Sequence, residues 1–96
     1  MSHALARLAA VVAVALPALS AQAEVVIGVD LSTTGPAAAI GLQSNNAVRM
    51  WPATLGGEPA RYVVLDDATD VSRSVRNMRK LTSEDKVDAI VGPNTT

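Results

Sequence analysis

The 96-residue sequence contains no cysteine and no phenylalanine. No disulfide can therefore brace a small core, although an exported location would permit one without requiring it. The only histidine, His3, lies at the start of an apolar N-terminal segment. The rest of the chain therefore has neither a His/Cys set for structural zinc nor a histidine for a Ser-His nucleophile pair. Trp51 and Tyr62 are the only aromatic residues, too few for a platform on which single-stranded bases could stack. The formal net charge is -1, and the basic residues are not interleaved with aromatics. A strongly basic duplex-binding face is thereby excluded, and no nucleic-acid partner is expected.

What is present begins with a leader-like segment. Arg7 and the amino terminus give a small positive region, and Leu8 to Leu16 is an unbroken apolar run ended by Pro17. Ser20-Ala21-Gln22-Ala23 closes on the Ala-x-Ala pattern that signal peptidase accepts. The run is too short to cross ~30 Å of hydrocarbon comfortably. Residues 1–23 are therefore expected to be a cleaved signal peptide, and residues 24–96 the exported part. That part is about half of a typical domain and ends just after an apolar stretch, Val87 to Val91. It is expected to be the N-terminal portion of a longer protein.

The exported part alternates between strand-like and helix-like segments. Glu24 to Leu31 is β-branched and apolar, as in a strand buried on both faces. Ser32-Thr33-Thr34-Gly35-Pro36 reads as a turn, and Ala37 to Trp51 as a helix with Ile40, Ala47, Val48 and Trp51 on one face. Leu55 to Pro59 is expected to be a loop. Ala60 to Asp66 is a second strand and Asp67 to Asp70 a turn, with Asp70 placed to cap a helix. Val71, Val75, Met78 and Thr82, with Leu81, make its apolar stripe, and Arg73, Arg76, Arg79 and Lys80 its solvated side. Lys86 to Gly92 is a third strand. Strands separated by helices imply an α/β fold with a parallel βαβαβ sheet and right-handed crossovers.

In such a sheet, ligands bind beyond the carboxyl ends of the strands. Ser32, Thr33 and Thr34 follow the first strand, Asp66, Asp67 and Asp70 the second, and Thr95 and Thr96 the third. The hydroxyls either cap the first helix or, with free helix amides, cradle a small anion. The residues alone leave both readings open. The three aspartates read as turn and cap formers rather than as a metal set. No dinucleotide or phosphate-loop glycine pattern and no nucleophile elbow occurs. No catalytic residue, metal or cofactor is expected.

In order, Val-Val-Ile-Gly-Val-Asp-Leu-Ser-Thr-Thr-Gly-Pro from Val25, Val-Val-Leu-Asp-Asp-Ala-Thr-Asp from Val63, Val-Arg-Asn-Met-Arg-Lys-Leu from Val75, and Asp-Lys-Val-Asp-Ala-Ile-Val-Gly-Pro-Asn-Thr-Thr from Asp85 resemble the leucine/isoleucine/valine-binding protein family. These are type I periplasmic binding proteins of branched-chain amino-acid ABC importers. The resemblance implies part of the first of two Rossmann-like lobes that close on a small ligand, docking afterwards on an inner-membrane permease. It implies that Thr96, with Thr95 beside it, offers a hydroxyl and amides to a ligand carboxylate. It also implies that Thr34, Gly35 and Pro36 line the cleft, and that Asp66 and Asp67 form a mainly structural acidic pair. The turn holding Gly56 and Gly57 is more compressed than is usual in that family. Two other readings are a ligand-sensing domain of the same fold in a receptor or regulator, and an exported α/β hydrolase.

Overall fold

The computed structural model describes residues 23–95. The expected leader up to Gln22, and Thr96, lie outside the described residues. The elements run β1 (Val25–Leu31), α1 (Ala38–Val48), β2 (Thr54–Leu55), β3 (Glu58–Asp66), α2 (Val71–Arg79, prolonged by a π-helical turn at Lys80–Glu84) and β4 (Ala89–Val91). The sheet order is β2-β3-β1-β4. β1 pairs in parallel with β3 and β4, and the short β2 pairs antiparallel with β3. The α/β class and the parallel βαβαβ core follow the sequence expectation. Among the described residues no helix is long and apolar enough to cross a membrane.

β1 lies between its two parallel partners, and its side chains alternate between the two faces of the sheet. Val29 and Leu31 form a buried core with Val48 of α1, joined by Ile27, Trp51, Tyr62 and Val64. On the opposite face, Gly28 lies against the buried Leu81, and Asp30 meets Ser74 and Asn77 of α2.

That polar contact corrects the expected stripe of α2. Val71 is 77% exposed and Val75 45%, whereas Ser74, Asn77 and Met78 are half-buried and Leu81 is fully buried. The inward face is set by what β1 presents, and β1 presents a carboxylate there. Asp70 caps α2 as expected, its side chain accepting from the Arg73 amide. Such a cap contributes about 1 kcal/mol.

α1 also departs from its expected face and length. Ile40 is 56% exposed, while Gly41 is buried because that turn of the helix rests on the Ser32 carbonyl. The helix ends at Val48 rather than Trp51. The amides of Met50 and Trp51 bond to Ala47 and Val48, tightening the last turn ahead of Pro52. Trp51 then packs edge-on to Tyr62, with ring centroids 5.4 Å apart, and the Tyr62 hydroxyl donates to the Pro52 carbonyl at 2.7 Å. The expected loop at Leu55 to Pro59 is instead a β-hairpin. Gly56 and Gly57 both have positive φ, which the tight two-residue turn requires. β4 is shorter than expected. Asp88 sits outside the strand and still bonds β1, its amide donating to the Val26 carbonyl and its carboxylate accepting the Val26 amide.

Candidate functional site

The loops after β1, β3 and β4 meet at the carboxyl ends of the parallel strands, and hydrogen bonds tie all three together. Asp66 organises the first contact. Its Oδ1 accepts the amides of Thr33 (2.9 Å), Thr34 (3.2 Å) and Ala68 (2.9 Å), and its Oδ2 accepts the Thr34 hydroxyl at 2.6 Å. Gly35 carries φ +81°, and a side chain there would meet the Ala68 carbonyl. Only glycine allows the two loops to pass this closely. Pro36 is exposed beside them. The Thr69 hydroxyl donates to the Thr34 carbonyl and accepts the Ala37 amide.

Ser32 makes the second contact. It is fully buried. Its hydroxyl donates to Asp67 Oδ1 at 2.6 Å and lies 2.9 Å from the Thr95 hydroxyl, while its amide donates to Asn94 Oδ1. Asn94 Nδ2 donates onward to the Ser44 hydroxyl in α1. The loop after β4 is thus held by one residue of the loop after β1. None of the three hydroxyl residues of that loop caps α1, whose N-cap residue, Ala37, has no capping side chain of its own. The hydroxyls of Ser32 and Thr34 bridge loops instead.

Two carboxylates respond oppositely to these surroundings. Burial works against ionisation of Asp66, but the Thr34 hydroxyl and the amides of Ala68, Thr33 and Thr34 outweigh it and hold its pKa at about 2. For Asp30 burial dominates and raises the pKa. Hydrogen bonds from Ser74 and Asn77 oppose the rise, and the neighbouring Asp67 carboxyl adds to it.

The depressed pKa of Asp66 fixes the sign of a pH effect. Its folded value lies below the unfolded value near 3.8. Its stabilising contribution is therefore complete above the unfolded value and is lost as pH falls through the folded value of about 2. In Asp66→Asn, the acid side of the stability profile should flatten between about pH 4 and pH 2. Urea midpoints across that range check this, and an unchanged slope would remove Asp66 as its source.

Thr34, Gly35 and Pro36 thus gather with Thr69 and Ala68 on one side of the loop cluster, and Thr95 gathers with Ser32 and Asp67 on the other. Sequence reasoning passed over Asp30, Ser74, Asn77 and Asn94. Asp30 alone carried a signal, as the one charged residue within an otherwise apolar strand. Among the described residues, no three acidic, histidine or cysteine side chains converge as a metal set would.

A cavity of about 300 Å³ opens between the start of α2, the loop after β3 and the loop after β4, with Asp67, Ser74 and Thr95 in its wall. The family model described as periplasmic binding protein matches residues 24–96. The chain belongs to the periplasmic binding protein family.

Several solved structures share the fold. An extracellular ligand-binding receptor from Rhodopseudomonas palustris HaA2 is 44% identical, with a TM-score of 0.71 over 74% of this chain and 20% of that one. A solute-binding protein of an ABC transporter from Rhodopseudomonas palustris BisB5, solved with 3,4-dihydroxybenzoic acid, is 27% identical, with a TM-score of 0.66 over 70% of this chain and 20% of that one. A leucine-binding protein from Thermotoga maritima is 26% identical, with a TM-score of 0.64 over 72% of this chain and 21% of that one. The chain spans about a fifth of the length of these structures. No curated protein matches it.

Proposed function

We propose that the protein is the solute-binding component of an ABC importer, working in the periplasm after removal of a leader at residues 1–23. It captures a small amino-acid-like or carboxylate ligand and delivers it to a membrane permease. Residues 24–96 would form part of lobe one, and a second lobe would close on the ligand by a hinge. The match of residues 24–96 to the periplasmic binding protein family carries this reading. The joined loops at the carboxyl ends of β1, β3 and β4 support it, because that is where open parallel sheets hold ligands. The role is binding rather than catalysis.

Within that role, Thr34, Gly35 and Pro36 are assigned to the lining of the cleft, and Thr95 and Thr96 to contact with the ligand. Branched-chain amino acids are one ligand class, following the leucine-binding relative. Aromatic acids are another, following the dihydroxybenzoate-bound relative. The receptor-named relative favours a second reading, a ligand-sensing domain of the same fold.

The test is thermal shift and calorimetry on the full-length protein with L-leucine, L-isoleucine and hydroxylated benzoates. A ligand at 100 times its Kd stabilises by about 2.7 kcal/mol, so at least one should raise the melting temperature by several degrees. No shift with any small carboxylate would sink the solute-binding reading. Uptake of the identified ligand in a deletion strain separates importer from sensor, since only an importer component is needed for uptake.

A further inference from the structure

Among the described residues two carboxyl groups are buried, those of Asp30 and Asp67. The chain brings them together in a simple way. Asp30 and Ser32 are two residues apart along β1 and its continuation, so they share the face that meets α2. The Ser32 hydroxyl then holds the Asp67 side chain over that face. The hydrogen bonds around the two groups leave a place for one proton. Asp30 Oδ1 accepts from Asn77 Nδ2, and its Oδ2 accepts from Ser74 Oγ. Asp67 Oδ1 accepts the Ser32 hydroxyl and the Thr69 amide. Among the described residues nothing else donates to Asp67, which leaves its Oδ2 as the acceptor for a proton carried by Asp30.

No base neutralises the pair. On α2 the charged residues are Asp70, Arg73, Arg76, Arg79 and Lys80, and all are exposed. Asp66, beside Asp67, turns its carboxylate to the amides of Thr33 and Thr34. β4 and the loop after it carry no charged residue from Ala89 to Thr95. The ion pairs among the described residues join Arg61 to Glu24 and Lys80 to Asp85. Two adjacent buried carboxylates without a cation repel each other, so the pair lowers its energy by keeping a proton on one of them. Burial favours the proton on Asp30, and the Asp67 carboxyl adds to that preference.

We propose that Asp30 keeps a proton which it shares with the Asp67 carboxylate, and that this proton raises the affinity of the site for a carboxylate ligand. When the proton leaves to solvent, the pair passes from one negative charge to two. Asp67 is joined through the Ser32 hydroxyl to Thr95, so the second charge arises close to the loop assigned to contact with the ligand. It repels a carboxylate there, and a bound carboxylate in turn holds the proton on Asp30. Asp30 is thus a positioning residue that acts through Asp67 and Ser32 without touching the ligand. This inference rests on the solute-binding reading and deepens it.

The test is calorimetry on the full-length protein and on its Asp30→Asn variant, with L-leucine and 3-hydroxybenzoate as carboxylate probes. Asparagine carries the charge of the protonated acid at every pH. The two proteins should therefore bind a probe equally well at about pH 5, and the variant should bind it about threefold or more tightly than the parent at about pH 8. Comparing parent with variant at each pH cancels titrations elsewhere in the chain. Binding to the parent should also take up protons from the buffer, and binding to the variant should not. A second measurement needs no variant. Carbon-13 spectra of the unliganded parent, labelled at aspartate carboxyls, should show one carboxyl titrating above the ordinary aspartate range. An affinity ratio that stays constant with pH overturns the inference and leaves the solute-binding reading standing. So do aspartates that all titrate in the ordinary range. If no small carboxylate binds at any pH tested, the solute-binding reading fails, and the inference falls with it.

Discussion

Replacing Gly41 with alanine should lower the unfolding free energy by more than about 3 kcal/mol, the opposite sign to the usual exchange. In an exposed helix interior, glycine to alanine stabilises by roughly 0.5–1 kcal/mol. Gly41 sits in the middle of α1 but is buried, and an added methyl group would collide with the carbonyl carbon and oxygen of Ser32. The obstacle is backbone rather than a movable side chain, so α1 must lift from the sheet or the loop after β1 must shift. Either movement disturbs Ser32, and Ser32 holds the loops after β3 and β4. Gly41→Ala should therefore weaken ligand binding as well as stability. Urea denaturation of the full-length protein measures the first and calorimetry the second. A variant as stable as the parent would mean that α1 does not press on the loop as closely as described.

Asp30 should show the next largest effect, and two substitutions separate its shape from its charge. Asp30→Leu removes the acceptor for Ser74 Oγ and Asn77 Nδ2, leaving donors stranded in the interior. The expected loss is about 3 kcal/mol or more. Asp30→Asn keeps one acceptor and can donate to the neighbouring Asp67 carboxyl, so it should lie within about 1 kcal/mol of the parent at neutral pH. The pH dependence should differ as well. Burial, the largest influence, raises the folded pKa of Asp30 above its unfolded value of 3.8. The extra stability tied to its bound proton is complete below that unfolded value and is lost as pH rises through the raised one. The advantage of the parent over Asp30→Asn should accordingly shrink from pH 4 towards neutrality. Parallel profiles for the two proteins would show that Asp30 does not hold its proton more tightly in the folded state.

These two residues also mark where the sequence could and could not be read. The strands were legible because Val25 to Leu31 and Ala60 to Asp66 are rich in β-branched residues, and because turn formers separate each strand from its helix. Parallel pairing followed from that alternation. The inward faces of the helices were not legible, because each is decided by its partner across the interface. α1 turns a glycine inward because a carbonyl lies beneath it. α2 turns Ser74 and Asn77 inward because Asp30 faces them, leaving Val71 and Val75 outside. The hairpin at Gly56-Gly57 was hidden by Pro59, a residue that usually argues against a strand. At the site, the clustering of hydroxyls and aspartates could be anticipated from topology. The direction of each proton could not, since it depends on distances between residues far apart in the chain.

Those separations also govern how the domain can form. The bond from Ser32 to Asp67 spans 35 residues and that from Val26 to Asp88 spans 62. β1 comes first in the sheet along the chain, yet it lies between β3 and β4. Each of its edges is completed only when the crossover to that partner has closed, and among the described residues the only strand pair joined by a short turn is the small β2–β3 hairpin. High contact order of this kind slows folding towards the millisecond-to-second range. The emerging chain thus carries an apolar strand with both edges unsatisfied until β3 is made, and with one still open until β4 follows. That interval gives a holdase time to engage β1, and it makes β1 the segment most exposed to wrong pairing between chains.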